Sequence, residues 1–593
     1  MNAYSPPLQD MRFVLSELSD LALVSALPET EALTDPELLE PILEQAARFA
    51  REVLAPLNAS GDREGAHWSD GAVRMPQGFR QAWDEFMLAG WNNIALPAEH
   101  GGQGLPILLC TALQEMFTSA NKAFCYGTEL TEFAVKALIA AASDAQKQAW
   151  LPHLVSGRWS ATMNLTEPQA GSDVGALRAR AMPAHDGSWR LFGQKIFISY
   201  GEHDLTENIL HLVLARLPGA PEGSAGVSLF AVPRQLPDGS RNDVRCTGIE
   251  HKLGNHASPT CTLVYGGEGE GATGWLVGRE HKGLQAMFVM VNSARLTVGQ
   301  EGTAMSERAY QQALAYARER VQGRPVGGGS PVPIIRHPDV RRMLLTMRCQ
   351  TEAMRAVAYL LGASRDLAAR HPDAEVRRSR EAFLNLMIPV FKGWATETAV
   401  EVTSMSIQVH GGVGYVEESG VSQPLRDVRV ATIYEGTTSI QAHDLVERKL
   451  VRDGGAALRE WLARVHGTLQ RLDAVDAPEL VPVRERLCTA VAALQRGCEH
   501  VFANFATRPA SVLGGSVPLL RLFGLVAGGW QMANAALAAH RLLNAGSGDP
   551  TFLTAKIDSA RFYALHLLPQ ASGLAEVACS GGDVVMAMAE EAF

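Results

Sequence analysis

Lys195-Ile-Phe-Ile-Ser199, followed by Ile209-Leu-His-Leu-Val-Leu-Ala215, Val227-Ser-Leu-Phe-Ala-Val232 and Cys261-Thr-Leu-Val-Tyr265, is the stretch that decides the architecture. Each run is short, rich in β-branched and aromatic residues, and bounded by Gly, Pro, Asp and Asn clusters. The region from Trp159 to Val277 therefore reads as a compact β-domain. On both sides the periodicity changes. Upstream, Leu38, Leu39, Ile42, Ala46, Phe49 and Val53 recur at helical spacing, which predicts amphipathic helices over 35–155. Downstream, helical periodicity returns over 303–320 and 340–367, separated by the Gly/Pro-rich loop 323–333. Further helical segments follow Asp453, joined by loops at 473–482 and 546–550. The expectation is an α+β multidomain chain: an N-terminal helical domain over 1–158, a central β-barrel-like domain over 159–282, a helical bundle over 283–452 and an extra C-terminal helical domain over 453–593.

The 593 residues, 47% of them hydrophobic, are enough for several packed domains. A net charge of −10 argues against holding nucleic acid or an anionic membrane by bulk charge, so an anionic ligand would need a local basic pocket. Eight cysteines without a C-x-x-C pair or Cys/His metal spacing point to reduced thiols in a cytoplasmic setting, with neither a disulfide scaffold nor a metal site. Met-Asn-Ala-Tyr-Ser-Pro-Pro at the start has neither a secretory h-region nor the Arg-rich pattern of a transit peptide. The apolar stretch 523–539 is interrupted by Gly pairs and polar residues, and no transmembrane segment is expected.

Gly269-Glu-Gly-Ala-Thr-Gly274 has the G-x-G-x-x-G spacing of a dinucleotide loop. Such a loop must open a helix, whereas Trp275-Leu-Val-Gly278 reads as another short strand, so a hairpin loop is expected. Four other segments have more chemical content. Met163-Asn-Leu-Thr-Glu-Pro-Gln-Ala-Gly-Ser-Asp173 packs hydroxyls, two carboxylates and a Gly-Ser turn after an apolar entry; it could aim donors at a polar heterocycle or be an Asx-rich surface loop. Gly193-Gln-Lys-Ile-Phe-Ile-Ser-Tyr-Gly201 has an aromatic that could stack on a ring, although a Phe in a strand is ordinarily core. Ser406-Ile-Gln-Val-His-Gly-Gly-Val-Gly-Tyr415 ends a helical pattern in a turn that could be a simple glycine cap. Arg426 to Gln441 sets Glu435 between an apolar run and a Gly-Thr-Thr helix start, where Thr437 or Thr438 can act as N-cap.

In this order, with a β-domain between helical domains, the four segments resemble the acyl-CoA dehydrogenase family. Thr166 to Asp173 matches its Thr-Glu-Pro-x-Ala-Gly-Ser-Asp pattern and Tyr434 to Thr437 its Tyr-Glu-Gly-Thr, and the resemblance spans about 35–450. Tyr4-Ser-Pro-Pro-Leu-Gln-Asp-Met11, His251 to Thr260 and the helical extension are similar to the larger bacterial branch, which includes medium- and long-chain enzymes and the dehydrogenase of 3-(methylthio)propanoyl-CoA.

The resemblance implies an FAD-dependent enzyme that oxidises the Cα–Cβ bond of an acyl-CoA to the trans-2-enoyl-CoA. Glu435 is the base for the α-proton, and its backbone N–H, with a flavin hydroxyl, holds the developing enolate oxygen. Some members carry the base on an earlier helix, where this chain has Ala294. Met163, Leu165, Thr166 and Ser172 are implied flavin contacts, with Ser172 also near the acyl-CoA, and Phe197, Ile198 and Ser199 line the ring. Arg320 is implied for the FAD diphosphate, Gln408, Gly411 and Gly412 for FAD of a neighbouring subunit, and Thr437 and Ser439 for the cofactor. Arg295, Asn292 and Gly436 are implied on the substrate side. Phe197 stands where many members have Trp, Ser439 where many have Gln, and Asn292 where Asp is usual. A homodimer and an electron-transfer flavoprotein as electron acceptor are further implications, and the expected substrate is a straight medium- to long-chain acyl-CoA, with 3-(methylthio)propanoyl-CoA as alternative. Three rival readings are an acyl-CoA oxidase, a non-catalytic flavoprotein of the DNA-damage-response type, which the balanced charge after Asp453 disfavours, and a purely structural acyl-CoA-binding protein, which the intact Tyr434-Glu435-Gly436 disfavours.

Overall fold

The computed structural model describes residues 4–28, 30 and 35–593. They group into two compact units, the first made of the described residues of Met1–Ala47 with Pro106–Ser119 and Arg295–Phe593, the second of Arg48–Leu105 with Ala120–Ala294.

The second unit contains the strands: β1 (His67–Ser69), β2 (Ala72–Arg74), β3 (Trp159–Asn164), β4 (Arg180–Pro183), β5 (Trp189–Ser199), β6 (Asn208–Arg216), β7 (Val227–Pro233), β8 (Val244–Ile249), β9 (Thr260–Tyr265) and β10 (Ala272–Val277). The main sheet runs β10-β7-β6-β4-β5-β9-β8, with β3 parallel to β6. Because β10 pairs with both β7 and β5, the path closes into the expected barrel. Alternation decides where each face goes. Leu210, Leu212 and Leu214 of β6 pack with Leu138, Leu151 and Met290 from helices. Val213 and Ala215 instead join Phe230 and Val232 inside the sheet. Covered on both faces, β6 and β7 read as nearly unbroken apolar runs.

Two local expectations are corrected. The region over 35–155 is not wholly helical, because β1 and β2 form a small hairpin around Asp70 and Gly71, which adopt φ of 50° and 83°. Asp-Gly supplies the two positive φ values of a tight hairpin turn, so the signal was present but short. The Gly269–Gly274 segment does lead into a strand, yet it is not a hairpin loop: β9 pairs with β5 and β8, whereas β10 pairs with β5 and β7.

The first unit is helical. Long helices at Pro338–Arg370 and Ala374–His410 pack with the C-terminal part of Gly283–Glu319, and Ser516–Asn544 packs on the first two. The start at Pro338 exploits a proline's preset φ, and Asp373 caps the next helix by accepting from the Glu375 N–H at 2.8 Å. Ser516–Asn544 corrects the reading of 523–539 as interrupted: it is one helix of 29 residues, long and apolar enough to cross a membrane by composition, and 89% of its most apolar window is buried inside the protein. Its glycines are contact points, since a Cβ at Gly524 would strike Trp394, at Gly528 the Tyr563 hydroxyl and at Gly529 Leu568. Close approach of neighbouring side chains, not a chain break, explains them.

A charged network lies at the centre of this unit. Arg355, 1% exposed at its side chain, donates to Asp10 at 2.6 Å, Glu115 at 2.5 and 2.8 Å and Glu307 at 2.7 Å. Tyr359 donates to Glu115 at 2.9 Å, and Lys556 bridges Asp10 at 2.6 Å and Glu352 at 2.9 Å.

Candidate active site

Glu435 lies on a turn between the short helix Arg429–Thr432 and the helix Thr438–His443. Thr437 is the N-cap, its side chain accepting from the Ile440 N–H at 3.3 Å, as one of the two expected threonines. To enter that helix the chain passes through φ of +54° at Glu435 and +90° at Gly436. A Cβ at Gly436 would meet Gln441 and Ile440, so the position requires glycine. The left-handed conformation at a glutamate costs of order 1–3 kcal/mol and is held only where its surroundings over-determine it. They do so through the two carbonyls. Gln441 Nε2 donates to the Glu435 and Gly436 oxygens at 3.1 and 3.2 Å, Lys392 Nζ to the Gly436 oxygen at 2.6 Å, and Arg295 Nε to the Glu435 oxygen at 3.4 Å. The Glu435 N–H has no acceptor among the described residues. Below the turn, Tyr434 packs on Val298, Met305 and Ala399, and its hydroxyl donates to Glu301 at 2.5 Å.

The Glu435 side chain is half-buried. Burial pushes its carboxyl up to about 7; Arg295 and Lys392 oppose that rise, and Glu301 adds to it. A carboxylate so poised is ionised enough to accept a proton and basic enough to hold one near neutrality. Burial likewise brings the Lys392 ammonium down to about 8, against the attraction of Glu435 and Glu301. Arg295 is also 3.5 Å from Asp444, so this residue implied on the substrate side is engaged with the turn and with a carboxylate of the same unit. Ser439 is exposed on the helix that follows.

The flavin-side set lies in the second unit. Thr166 O accepts from Ile196 N at 3.0 Å, and Leu165 O accepts from Lys195 Nζ at 3.0 Å, which brings Met163, Leu165 and Thr166 beside Phe197, Ile198 and Ser199. Glu167 ties them together: it pairs with buried Lys195 at 2.8 Å and accepts from the N–H groups of Arg178 and Ala179 at 2.6 and 3.0 Å. Burial works to raise its pKa, and these partners outweigh that and hold the carboxyl below its ordinary value. Asp173, the second carboxylate of the motif, accepts from the Gly175 N–H at 3.0 Å. Both acids therefore shape the loop.

Phe197 does not take the ordinary core position. At an irregularity in the β5–β9 pairing between Lys195 and Ile198 it adopts φ of +59° and is 59% exposed. Ile198, by contrast, is buried in the barrel core, so only its main chain can meet a ligand. An outward aromatic beside half-buried Met163 and Leu165 and the hydroxyls of Thr166 and Ser199 fits one face of a flavin ring. Ser172 is exposed on the motif loop, and Asn292 is exposed on the Gly283–Glu319 helix.

In the first unit, Arg320 follows the end of Gly283–Glu319, and Gln408, Gly411 and Gly412 end Ala374–His410; all four are exposed. Tyr316 stacks on His410 with ring centroids 4.5 Å apart, which pins these two helix ends together. The sequence reading did not single out Lys392, Gln441 or the Glu167–Lys195 pair. A lysine inside Pro389-Val-Phe-Lys-Gly-Trp394 was the one available sign, since an ammonium in an apolar helical run needs a partner.

Four family models match the chain: acyl-CoA dehydrogenase N-terminal domain at 36–158, middle domain at 162–267, C-terminal domain at 281–450 and acetyl-CoA dehydrogenase C-terminal like at 461–589. The chain is 46% identical to the 3-methylmercaptopropionyl-CoA dehydrogenase of Ruegeria pomeroyi, over 96% of this chain and 97% of that one. It is 34% identical to a broad-specificity linear acyl-CoA dehydrogenase of Mycobacterium tuberculosis, covering 100% of both. The crystal structure of the Caenorhabditis elegans protein ACDH-11 in complex with C11-CoA shares the fold with a TM-score of 0.78, at 19% identity and with 99% of this chain and 97% of that one covered. With these matches along its length, the chain belongs to the acyl-CoA dehydrogenase family of FAD-dependent oxidoreductases.

Proposed function

We propose that Glu435 removes the α-proton of a short linear acyl-CoA and that 3-(methylthio)propanoyl-CoA is the preferred substrate. The observation behind the base is the Glu435 turn: a half-buried carboxyl raised to about 7, on a strained backbone whose carbonyls are held and whose N–H is left without an acceptor. That N–H suits the thioester oxygen, on which negative charge grows as the α-carbon loses its proton. FAD, when bound, supplies the acceptor for the β-hydrogen as hydride. Arg295 steadies the Glu435 main chain, and with Asn292, Gly436 and Ser172 it is proposed on the substrate side. Phe197, Ser199, Met163, Leu165 and Thr166 are proposed for the ring, Ile198 through its main chain, and Arg320, Gln408, Gly411, Gly412, Thr437 and Ser439 for other parts of the cofactor. Electron-transfer flavoprotein is the proposed oxidant of the reduced enzyme.

The substrate assignment is supported by the 46% identity to the Ruegeria pomeroyi dehydrogenase. A broader preference reaching medium and long straight chains is the second reading, supported by the 34% identity to the mycobacterial enzyme. A series of kcat/KM values with electron-transfer flavoprotein as acceptor separates the two. The thioether acyl-CoA is expected to exceed straight acyl chains of medium and long length by about 10-fold or more, the discrimination that one or two methylenes allow. A maximum at a long chain selects the second reading, and a maximum at a branched or aromatic acyl group overturns both. Peroxide formed in proportion to turnover in air would replace the dehydrogenase reading by an oxidase.

We also propose four domains, 1–158, 159–282, 283–452 and 453–593, supported by the separate matches of the four family models. A homodimer in the reduced setting of the cytoplasm is proposed as well, the setting supported by cysteines that form no disulfide among the described residues. The solution mass is expected to be twice that of the chain, and a tetramer would refute the dimer.

A further inference from the structure

We infer that Lys392 is a positioning residue for the base: its buried ammonium locks the Glu435 turn through the Gly436 carbonyl and keeps the Glu435 carboxylate ionised. The inference rests on Glu435 as the base.

Lys392 lies in the middle of the Ala374–His410 helix with 0% exposure, flanked by Val390, Phe391 and Trp394. An ammonium removed from water is costly unless it is hydrogen-bonded and faces opposite charge. No carboxylate lies within 4.0 Å of Lys392 among the described residues, so it is not half of an ordinary ion pair. Its hydrogen bond, at 2.6 Å, goes to the carbonyl of Gly436, the residue after the strained glutamate. A single acceptor at that place couples the helix to the conformation of the turn. If Gly436 relaxed out of its positive φ, its carbonyl would rotate and the ammonium would be buried without a partner.

Charge complements this geometry. Arg295 and Glu301 on the Gly283–Glu319 helix, Lys392 and Glu397 on the Ala374–His410 helix, and Asp444 and Arg448 beyond the turn are the charged groups around it. Glu301 is engaged by Tyr434, Glu397 by Thr438, and Asp444 by both Arg295 and Arg448. Arg295 divides its contacts between the Glu435 carbonyl and Asp444, whereas Lys392 donates to a carbonyl alone, so its charge is not cancelled by a direct carboxylate contact. It opposes the protonation that burial and Glu301 favour at Glu435.

The experiment uses the FAD-loaded enzyme and follows kcat against pH for Lys392→Met, Lys392→Arg and Glu435→Gln. In Lys392→Met the rising limb of kcat is expected to move to higher pH. At a pH below the wild-type limb its kcat falls about tenfold, the effect of one pKa unit at the base, and the gap narrows as pH rises. Lys392→Arg, which keeps the charge, restores the position of the limb. A limb that stays in place in Lys392→Met, whether kcat is unchanged or uniformly lower, overturns the inference, because a merely structural residue would leave the limb where it is. If Lys392→Met does not fold, Lys392→Gln retains a donor without the charge, and the same displacement is expected of it. Glu435→Gln keeps the two ideas apart. Wild-type turnover in that variant removes the base assignment itself, whereas loss of turnover there with an unmoved limb in Lys392→Met removes only the role of Lys392.

Discussion

Glu435→Gln lowers kcat by about 10³-fold, in the range that a positioned general base contributes, while acyl-CoA still binds. The amide has the size and shape of the carboxyl but no basic oxygen that can take a proton, so the α-hydrogen stays on carbon and no hydride can follow. Anaerobic addition of substrate therefore bleaches the visible flavin band of the wild type and leaves that of the variant in place. In the wild type the pH dependence has a definite sign. As the proposed base, Glu435 must be unprotonated to act, and its carboxyl is raised to about 7, so kcat is expected to rise as pH increases through that value. Below it the carboxyl already holds a proton and is inactive. The variant lacks this limb. Rapid bleaching of the variant by substrate would remove Glu435 from the mechanism.

Arg355→Met destabilises the fold by about 3–5 kcal/mol at neutral pH, the usual consequence of removing one partner from a buried ionic group. Methionine fills much of the volume, but Glu115 and Glu307 lose their shared cation, whereas Asp10 keeps Lys556. Burial already raises the Glu115 carboxyl in the intact protein, with Arg355 opposing. Without Arg355 the folded state binds protons more tightly than the unfolded state does. A carboxyl raised on folding contributes most below its unfolded value and loses that contribution as pH rises through the folded one. The deficit of Arg355→Met is therefore smallest in acid and grows above the ordinary glutamate range. Denaturant unfolding at two pH values measures it; a deficit under about 1 kcal/mol at neutral pH would show that the carboxylates find other partners or water.

The two predictions separate function from architecture because they touch different networks of one helical unit. Glu435 is held by main-chain carbonyls captured from three directions, and its strain is local. Arg355 joins helices far apart in the chain, at Leu8–Leu18, Gly283–Glu319 and Pro338–Arg370, so its loss acts on the whole unit.

The order of helical, β and helical regions was legible in the sequence because it rests on local periodicity and turn residues, which need no partner to be read. The candidate base was legible too, since Tyr434-Glu435-Gly436-Thr437 contains both the carboxylate and the glycine and N-cap that its turn requires. Only the tertiary structure decided the rest. Phe197 in a strand reads as core, and it is the irregularity against β9 that turns it outward; Ile198, one residue on, is buried for the same reason. The Gly pair in Ser516–Asn544 reads as an interruption until Tyr563 and Leu568 are seen against it. Lys392 is 43 positions from Glu435 in sequence and meets the turn only through helix packing. Periodicity tells which face of an element is apolar; which buried charge meets which carbonyl depends on distances between elements that no local pattern encodes.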